Sequence, residues 1–386
     1  MTSLILYTPG HNIYTDTLIM HGMVRVMAET GCTRGVVRRI GEAYMVQYRG
    51  CQQSGSDIRD TASLHLLSLY MKMLMHKNTM DLETPYLSKL RDFKVFCAAQ
   101  NYINRLASED LGINIDKYSG AKGLNHRASA GEGRSPSRGG KGNTTLYLPL
   151  CPLCGKYSTV TLLRAGELVQ GYRGNEQYKV CRDCFVLALI GFMWGTSMLS
   201  FRTGGSQAAY VFAAAPLEAS VSDVLLFQRA FSDPKVTHNG IKLASDLPAT
   251  AAALAFASIL DVPLRRGASM ELLQWRLEKR GNQRPSFVQP VLPFSRLLAA
   301  VASIRYVAPE WPLFVQRRLG SRDAVNDVIE LLDEIYNAVM SGSMERLYNA
   351  ARLLASIEAK SGPPIIPGEA LAAALRAGEG HDPGHV

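Results

Sequence analysis

The sequence lacks an uninterrupted apolar run long enough to cross a membrane, and it is poor in acidic residues. Its two longest apolar stretches, residues 185–201 and 247–264, are short or broken, and we interpret both as buried helices. Pro9, Gly10 and His11 interrupt the first apolar run, so we expect no secretory signal and a cytoplasmic protein. Asp and Glu number 33 against 42 Lys and Arg, and this net charge of +9 favours nucleic acid over a membrane surface as the partner.

The short motifs of common hydrolases are also missing. None of the 8 histidines stands in an HExxH pattern, and no GxSxG nucleophile motif is present. The run around Lys141 is not a P-loop, because Gly142 stands where Ser or Thr is required. We interpret the lone carboxylates Asp16, Asp223 and Asp261 as helix caps and surface residues. These absences favour a non-catalytic binding or assembly protein, although a nuclease with dispersed acidic ligands stays open.

Cysteine is scarce, with 7 residues, yet four of them form two CxxC pairs. A two-residue spacer lets both sulfur atoms of a pair point into one tight turn, and four thiolates satisfy the tetrahedral geometry of zinc. The pattern predicts one structural Zn²⁺ per chain in a zinc ribbon; two disulfides or four unrelated core cysteines are the alternatives. The predicted ligands are Cys151, Cys154, Cys181 and Cys184. We interpret Cys32, Cys51 and Cys97 as small core residues or surface thiols.

The segment between residues 117 and 145 differs in composition from the rest of the chain. It is rich in Gly, Ser and Arg, its only acidic residue is Glu132, and it cannot bury a core of its own. One interpretation is a basic loop that becomes ordered on a phosphate backbone, and the other is an inert insertion. The candidate nucleic-acid-binding residues are Lys117, Lys122, Arg127, Arg134, Arg138 and Lys141.

The secondary-structure pattern predicts an α+β fold with a mixed or antiparallel sheet in the N-terminal region. The chain opens as strand, helix and a β-hairpin with its turn at Gly41-Glu42, and a long helix follows from Asp57 to Lys77. After the zinc ribbon we expect a helix over 185–201, a buried strand over 208–214 and a short helix over 221–231. From residue 244 onward the prediction is mostly helical, with a helix over 269–279 and room for one strand near 285–293.

These patterns divide the chain into six parts. The expected parts are an α+β N-terminal domain (1–116), a basic flexible loop (117–146), a zinc ribbon (147–185), a continuation of the α+β domain (186–243), a helical region (244–361) and a loose tail (362–386).

Two stretches resemble the large subunit of archaeal type I-A CRISPR surveillance complexes (Cascade). The first is the opening, with Pro9-Gly10, Tyr14-Thr15-Asp16, His21-Gly22 and Arg25, followed by the hairpin. The second is the mid-chain CPxCG and CxxC pattern around residues 147–200. The remainder agrees only in being basic and in ending with helices.

The resemblance implies a non-catalytic subunit of an antiviral complex. Its implied partners are the crRNA, the target DNA, and the backbone, small and helicase-nuclease subunits, and its implied role includes recognition of the protospacer-adjacent motif. No base-reading residue is carried over from the family. The alternatives from the residues are a zinc-ribbon nucleic-acid-binding factor of RNA processing or transcription, a metal-dependent nuclease, and a protein scaffold whose charge is incidental.

Overall fold

The structure is a computed structural model, and the chain divides into two compact units. Residues 1–195 and 220–225 form the first unit, and residues 196–219 and 226–386 form the second. The architecture is α+β, with antiparallel strands and a mostly helical C-terminal half, as the sequence predicts. The described residues are 3–11, 13–51, 57, 60–62, 64, 113, 115–119, 182–203, 206–231, 247–260, 262, 268–279, 286–288, 292–320, 325–361 and 366–379.

The first unit opens with the predicted order of strand, helix and hairpin. Strand β1 spans Ser3–Tyr7, helix α1 spans Ile13–Glu29, and strands β2 and β3 span Gly35–Ile40 and Ala43–Arg49. Gly31 ends α1 with a φ of 90°, a left-handed conformation that glycine adopts without strain. Of the predicted helix from Asp57 to Lys77, the described residues 57, 60–62 and 64 are helical, and the others lie outside the described residues.

The hairpin turns at Gly41, and its register follows from that turn. Ile40 pairs with Ala43, and Gly35 pairs with Tyr48 at the other end. Strand β1 pairs antiparallel with β3, which gives the order β1-β3-β2. Because side chains alternate between the faces of a sheet, one face carries buried residues against α1 and the other stays half-exposed. The buried face includes Leu6, Val37, Tyr44, Val46 and Tyr48.

Two further elements lie in the described part of the first unit. A short 3₁₀ helix covers Ile115–Tyr118, and Ser119 then forms an antiparallel bridge with Leu6 of β1. Helix α2 spans Arg182–Gly195 and packs against α1. The described part of the first unit is therefore a small antiparallel sheet with α1 on one face and α2 packed on α1.

The second unit is built from antiparallel strands and a helical C-terminal half. Strand β5 lies between β4 and β6, and β7 pairs with the other side of β6. The strands are β4 (Thr196–Thr203), β5 (Ser206–Ser220), β6 (Ser269–Lys279) and β7 (Ser286–Val288). Helix α3 (Val221–Phe231) begins in the first unit and continues in the second from residue 226. The other helices are α4 (Ala249–Ile259), α5 (Phe294–Val307), α6 (Trp311–Gly320), α7 (Val325–Ser341), α8 (Met344–Ser361) and α9 (Gly368–Glu379).

Aromatic side chains fill the core of the second unit. Phe256 of α4 stacks on Phe212 of β5 with ring centroids 4.2 Å apart, and Phe231 and Phe294 meet the same ring. Trp311 is fully buried, and its indole N–H donates to Ser258 Oγ at 2.9 Å. Burial of these rings supplies much of the apolar area that drives the helices onto the strands.

The predicted helix over 185–201 is wrong in its second half. Helix α2 ends at Gly195, and Thr196 begins strand β4, which pairs residue by residue with β5. A continuous apolar run does not distinguish a buried helix from a buried strand, and pairing with β5 decides the conformation.

The predicted helix over 269–279 is wrong as well. This segment is strand β6, paired on one side with β5 and on the other with β7. The segment contains residues of high helix propensity, which favoured a helix. In the fold both faces of the strand are buried, as Leu272, Leu273 and Trp275 show, and this burial outweighs the local preference. The break near 285–293, where the pattern left room for one strand, contains β7.

The loose tail expected from Gly362 is wrong over residues 368–379. These residues form α9, which packs against α5. Ala370, Leu371, Ala374 and Leu375 are buried at a spacing of one and three residues, the pattern of an amphipathic helix. Residues 380–386 lie outside the described residues.

Candidate functional site

One of the four predicted zinc ligands lies in the described part of the chain. Cys184 stands in the first turn of α2 and is fully buried. Its Sγ atom lies 3.1 Å from the hydroxyl oxygen of Tyr118, which is fully buried too. Cys151, Cys154 and Cys181 lie outside the described residues. The structure thus places one cysteine of the CxxC pairs in the buried first turn of α2, beside the hydroxyl group of Tyr118. The four-cysteine site stays a prediction.

The predicted basic segment begins beside this cysteine. Lys117 lies in the 3₁₀ helix next to Tyr118, whose side chain contacts Cys184. Tyr118 and Cys184, which stand on either side of the part outside the described residues, therefore lie next to each other. The remaining candidate residues, Lys122, Arg127, Arg134, Arg138 and Lys141, lie outside the described residues.

The His21-Gly22 pair of the opening lies at the close crossing of α1 and α2. A Cβ atom at Gly22 would overlap the carbonyl group of Leu187, and one at Gly191 would overlap the carbonyl group of Leu18. The fully buried His21 ring occupies the space left by the missing side chain of Gly195. The glycines let the two backbones approach closely, so this part of the opening builds the core of the unit.

Asp16 corrects our interpretation of a surface or capping carboxylate. It is fully buried in the first turn of α1, and its Oδ1 accepts the backbone N–H of Gly10 at 2.7 Å. Gly10 itself has a φ of 77°. A buried carboxylate is stable only when hydrogen bonds compensate its desolvation, so Asp16 fixes the turn between β1 and α1.

Thr8 and Thr17 attach the same turn to the hairpin. Thr8 Oγ1 accepts the backbone N–H of Tyr44 at 2.8 Å, and the hydroxyl groups of Thr17 and Tyr44 are 2.9 Å apart. Arg25 lies on the surface, with its guanidinium 3.8 Å from the ring centre of Trp194 and an ion pair to Glu29. The described residues of the opening motif therefore hold the first unit together.

Asp223 is a helix cap, as predicted, but it is buried. Its Oδ2 accepts the backbone N–H and the hydroxyl of Ser220, and Ser220 Oγ accepts the N–H of Asp223 in return. This reciprocal arrangement is a capping box at the start of α3. Asp261 lies outside the described residues.

A disulfide joins Cys32 and Cys51, with their Cα atoms 5.3 Å apart. Our interpretation of these two residues as unpaired cysteines is therefore wrong. The hairpin already contains the signal: counting outward from the paired residues Ile40 and Ala43 brings Cys32 opposite Cys51. The bond closes the open end of the hairpin next to the end of α1. Cys97 lies outside the described residues.

The half-exposed face of the β1-β3-β2 sheet carries cations that the sequence analysis did not single out. In the register, Met45 lies opposite both Tyr7 and Arg38, and Gln47 lies opposite both Ile5 and Val36. The next row pairs Arg49 with Arg34, whose carbonyl oxygen accepts the N–H of Arg49 at 3.0 Å. We call these eight residues the open face; Arg34, Arg38 and Arg49 are exposed and the other five are half-exposed.

Burial raises the pKa of two tyrosines in the first unit. The pKa values of Tyr14 and Tyr48 lie well above the ordinary 10.0 because the phenolate form would be desolvated. Both side chains therefore stay protonated at neutral pH and act as packing groups. In the part of the chain that the structure describes, no three His, Cys, Asp or Glu side chains come together as a possible metal site.

None of the described helices combines the length and apolar character needed to span a membrane.

Comparison with known proteins places the chain in a family. The model of the family described as "CRISPR-associated protein (Cas_Csa4)" matches residues 4–376, so the chain belongs to this family of CRISPR-associated proteins. A relative described as "CRISPR system associated protein Cas8", from Thermoproteus tenax, is 24% identical over 345 residues, which cover 87% of this chain and 91% of the relative. The resemblance to the large subunit of type I CRISPR effector complexes is thereby confirmed.

Proposed function

We propose that the chain is the large subunit of a type I-A CRISPR surveillance complex and that it acts there without catalysing a reaction. Its task is to hold the guide RNA end and the target DNA and to contribute to recognition of the protospacer-adjacent motif. The observation that carries this proposal is the family match over residues 4–376. The net charge of +9 supports it, because a surface that binds phosphate backbones needs an excess of cations.

The proposed role needs little chemistry from the protein. In guide-directed complexes, base pairing between guide and target reads the sequence, and the protein supplies backbone affinity and recognition of a short duplex motif. Lys and Arg contacts to phosphate release counterions, so this part of the affinity falls steeply with salt. The backbone, small and helicase-nuclease subunits are the protein partners that this role requires.

The proposal includes a structural zinc ion held by Cys151, Cys154, Cys181 and Cys184. Four cysteine thiolates leave no open position for water, so the ion stabilises the fold and activates no nucleophile. The contact between Cys184 and Tyr118 supports this assignment, because a hydroxyl group that donates to a ligand sulfur fixes its orientation. The donor set therefore fits zinc.

The basic segment is proposed to contact phosphates. Five of its six candidate cations lie between Tyr118 and Cys184 in the sequence, and the side chains of these two residues are in contact. An insertion with adjoining ends can fold or bind without disturbing the unit that carries it. The described part of the first unit is then the scaffold, and Lys117 together with the segment from residue 120 to residue 181 is the binding element.

The proposal is tested by binding of the purified chain to duplex DNA, single-stranded DNA and RNA across a salt series, with zinc measured on the same sample. We expect affinity that falls steeply with salt, one zinc per chain, and no cleavage with added Mg²⁺ or Mn²⁺. In a complex reconstituted with guide RNA and the other subunits, omission of this chain abolishes binding to targets with the correct adjacent motif. Metal-dependent cleavage by the chain alone would favour a nuclease instead.

Two variants separate the parts of the proposal. Arg127→Gln/Arg134→Gln/Arg138→Gln/Lys141→Gln should weaken binding to all sequences and reduce the salt slope by about 3 to 4, if each cation neutralises one phosphate. Cys151→Ser/Cys154→Ser should lose the zinc ion and lower the melting temperature. Unchanged salt dependence in the first variant makes the segment an inert insertion, and unchanged melting in the second removes the structural role of zinc.

A further inference from the structure

The open face carries a like-charge pair that the fold itself does not explain. Arg34 and Arg49 lie directly opposite each other at the end of the β3-β2 ladder, and both side chains are exposed. Like charges at directly opposed positions destabilise an antiparallel pair. None of the eight residues of the open face is acidic. The pair is therefore a site that an anion would stabilise.

Covalent structure holds the two arginines together. Cys32 stands two residues before Arg34 and Cys51 two residues after Arg49, and their disulfide closes this end of the hairpin. The backbones of the two arginines consequently stay paired despite the repulsion of their charges. Two neighbouring guanidinium groups offer several parallel N–H donors to the oxygen atoms of a phosphate.

The rest of the open face suits a ligand with flat, apolar surfaces. The row of Tyr7, Met45 and Arg38 lies four strand positions from the arginine pair, about 13 Å at 3.3 Å per residue. Ile5 and Val36 lie between them. An aromatic ring and apolar side chains between cations are the features on which unstacked bases of a single strand bind. A duplex hides its base faces and would gain only from the cations.

We propose that the open face binds a short stretch of single-stranded nucleic acid, with a phosphate on Arg34 and Arg49 and a base on the ring of Tyr7. This inference rests on the proposed function, since it names one surface through which the chain holds an opened strand. Charge complementarity favours this occupant, because Arg34 and Arg49 are exposed and none of the eight residues of the open face is acidic.

The test compares two full-length variants that lose the same charge. Arg34→Gln/Arg49→Gln removes the pair, and Arg352→Gln/Arg376→Gln removes two exposed arginines from helices of the second unit. The probes are a fluorescently labelled oligo(dT), an oligo(U) of equal length and a blunt DNA duplex, each followed by anisotropy across a salt series. Melting curves of all variants check that the fold is intact.

We expect the Arg34/Arg49 variant to lose at least tenfold in single-strand affinity and to reduce the salt slope by about 0.7, from the one phosphate that the pair binds on a single strand. The control variant should keep the slope of the wild type. Tyr7→Leu should weaken single-strand binding about fivefold or more with an unchanged slope, because stacking releases no counterions.

If the Arg34/Arg49 variant and the control variant show the same affinity and the same salt slope, the inference about the open face is overturned. If the wild type still binds the probes, the proposed function stands. Loss of duplex binding equal to loss of single-strand binding overturns the assignment to a single strand. A wild-type chain that binds none of the probes at low salt overturns the proposed function itself. The outcomes of the two proposals are therefore distinguishable.

Discussion

Removal of the Cys32–Cys51 disulfide tests the coupling between the hairpin and the end of α1. The bond closes a loop with a sequence separation of 19 residues. The chain-entropy relation for such a loop predicts a stabilisation of about 3 kcal/mol at 25 °C. For a unit of 150 to 250 residues, a change of this size lowers the melting temperature by about 6 to 12 °C.

The assay is thermal unfolding of the wild type and of Cys32→Ser/Cys51→Ser, each with and without a phosphine reductant. Without reductant, the wild type should have a higher melting temperature than the variant. With reductant, the melting temperature of the wild type should fall to that of the variant. The variant should not respond to reductant. Cys97→Ser serves as the matched control and should keep the reductant response of the wild type.

Alkylation of the unfolded, unreduced protein gives an independent measurement. Peptides that contain Cys32 and Cys51 should stay unmodified in the wild type until a reductant is added. Full alkylation of both cysteines before reduction, or equal melting temperatures of wild type and double variant, would refute the reasoning.

Three further perturbations have defined outcomes. In a denaturant titration, Gly22→Ala should destabilise the first unit by at least about 2 kcal/mol, because the added Cβ would overlap the carbonyl group of Leu187. Gly320→Ala is the control, since a Cβ there has nothing within 4 Å, and it should change the free energy of unfolding little. Truncation after Ser361 removes α9 and should cost about 3 to 6 kcal/mol, because the burial of Leu371 and Leu375 is lost and the surface of α5 against which α9 packs becomes exposed. Truncation after Gly380 keeps α9 and should be neutral in the same melts. The raised pKa of Tyr48 means that the folded state keeps the phenol proton above pH 10.0, so the stabilisation is full below that pH and declines as pH rises. Tyr48→Phe removes a buried hydroxyl that has no hydrogen-bond partner among the described residues. In the same melts this variant should show a smaller decline at high pH and an unchanged or higher stability at pH 7.

Local patterns decided much of the fold without tertiary information. The strand, helix and hairpin of the opening and the helices α3, α4, α5, α6, α7 and α8 follow from apolar periodicity and from the Gly and Pro residues that end them. The sequence also contained the register of the hairpin, since a two-residue turn at Gly41 fixes every pair outward to Cys32 and Cys51. These features are determined by neighbours along the chain.

The errors occur where residues distant in sequence decide the conformation. Residues 196–203 and 269–279 have apolar patterns compatible with either helix or strand, and pairing with β5 satisfies their backbone hydrogen bonds. A helix as short as α9 is marginal by itself, and it becomes stable because α5 covers its apolar side. The composition of the tail does not show that this partner helix lies beside it.

For the candidate site, the sequence by itself supplied the four cysteines, the basic segment and the resemblance that the family match confirms. Only the tertiary structure shows that Cys184 contacts Tyr118 and that the buried Asp16 accepts the N–H of Gly10. It also shows that Arg34 lies opposite Arg49. Spacing identifies ligands that stand close together in the chain, as in a CxxC pair. Charges on different strands become neighbours only when backbone pairing fixes the register, and that pairing is a property of the folded sheet.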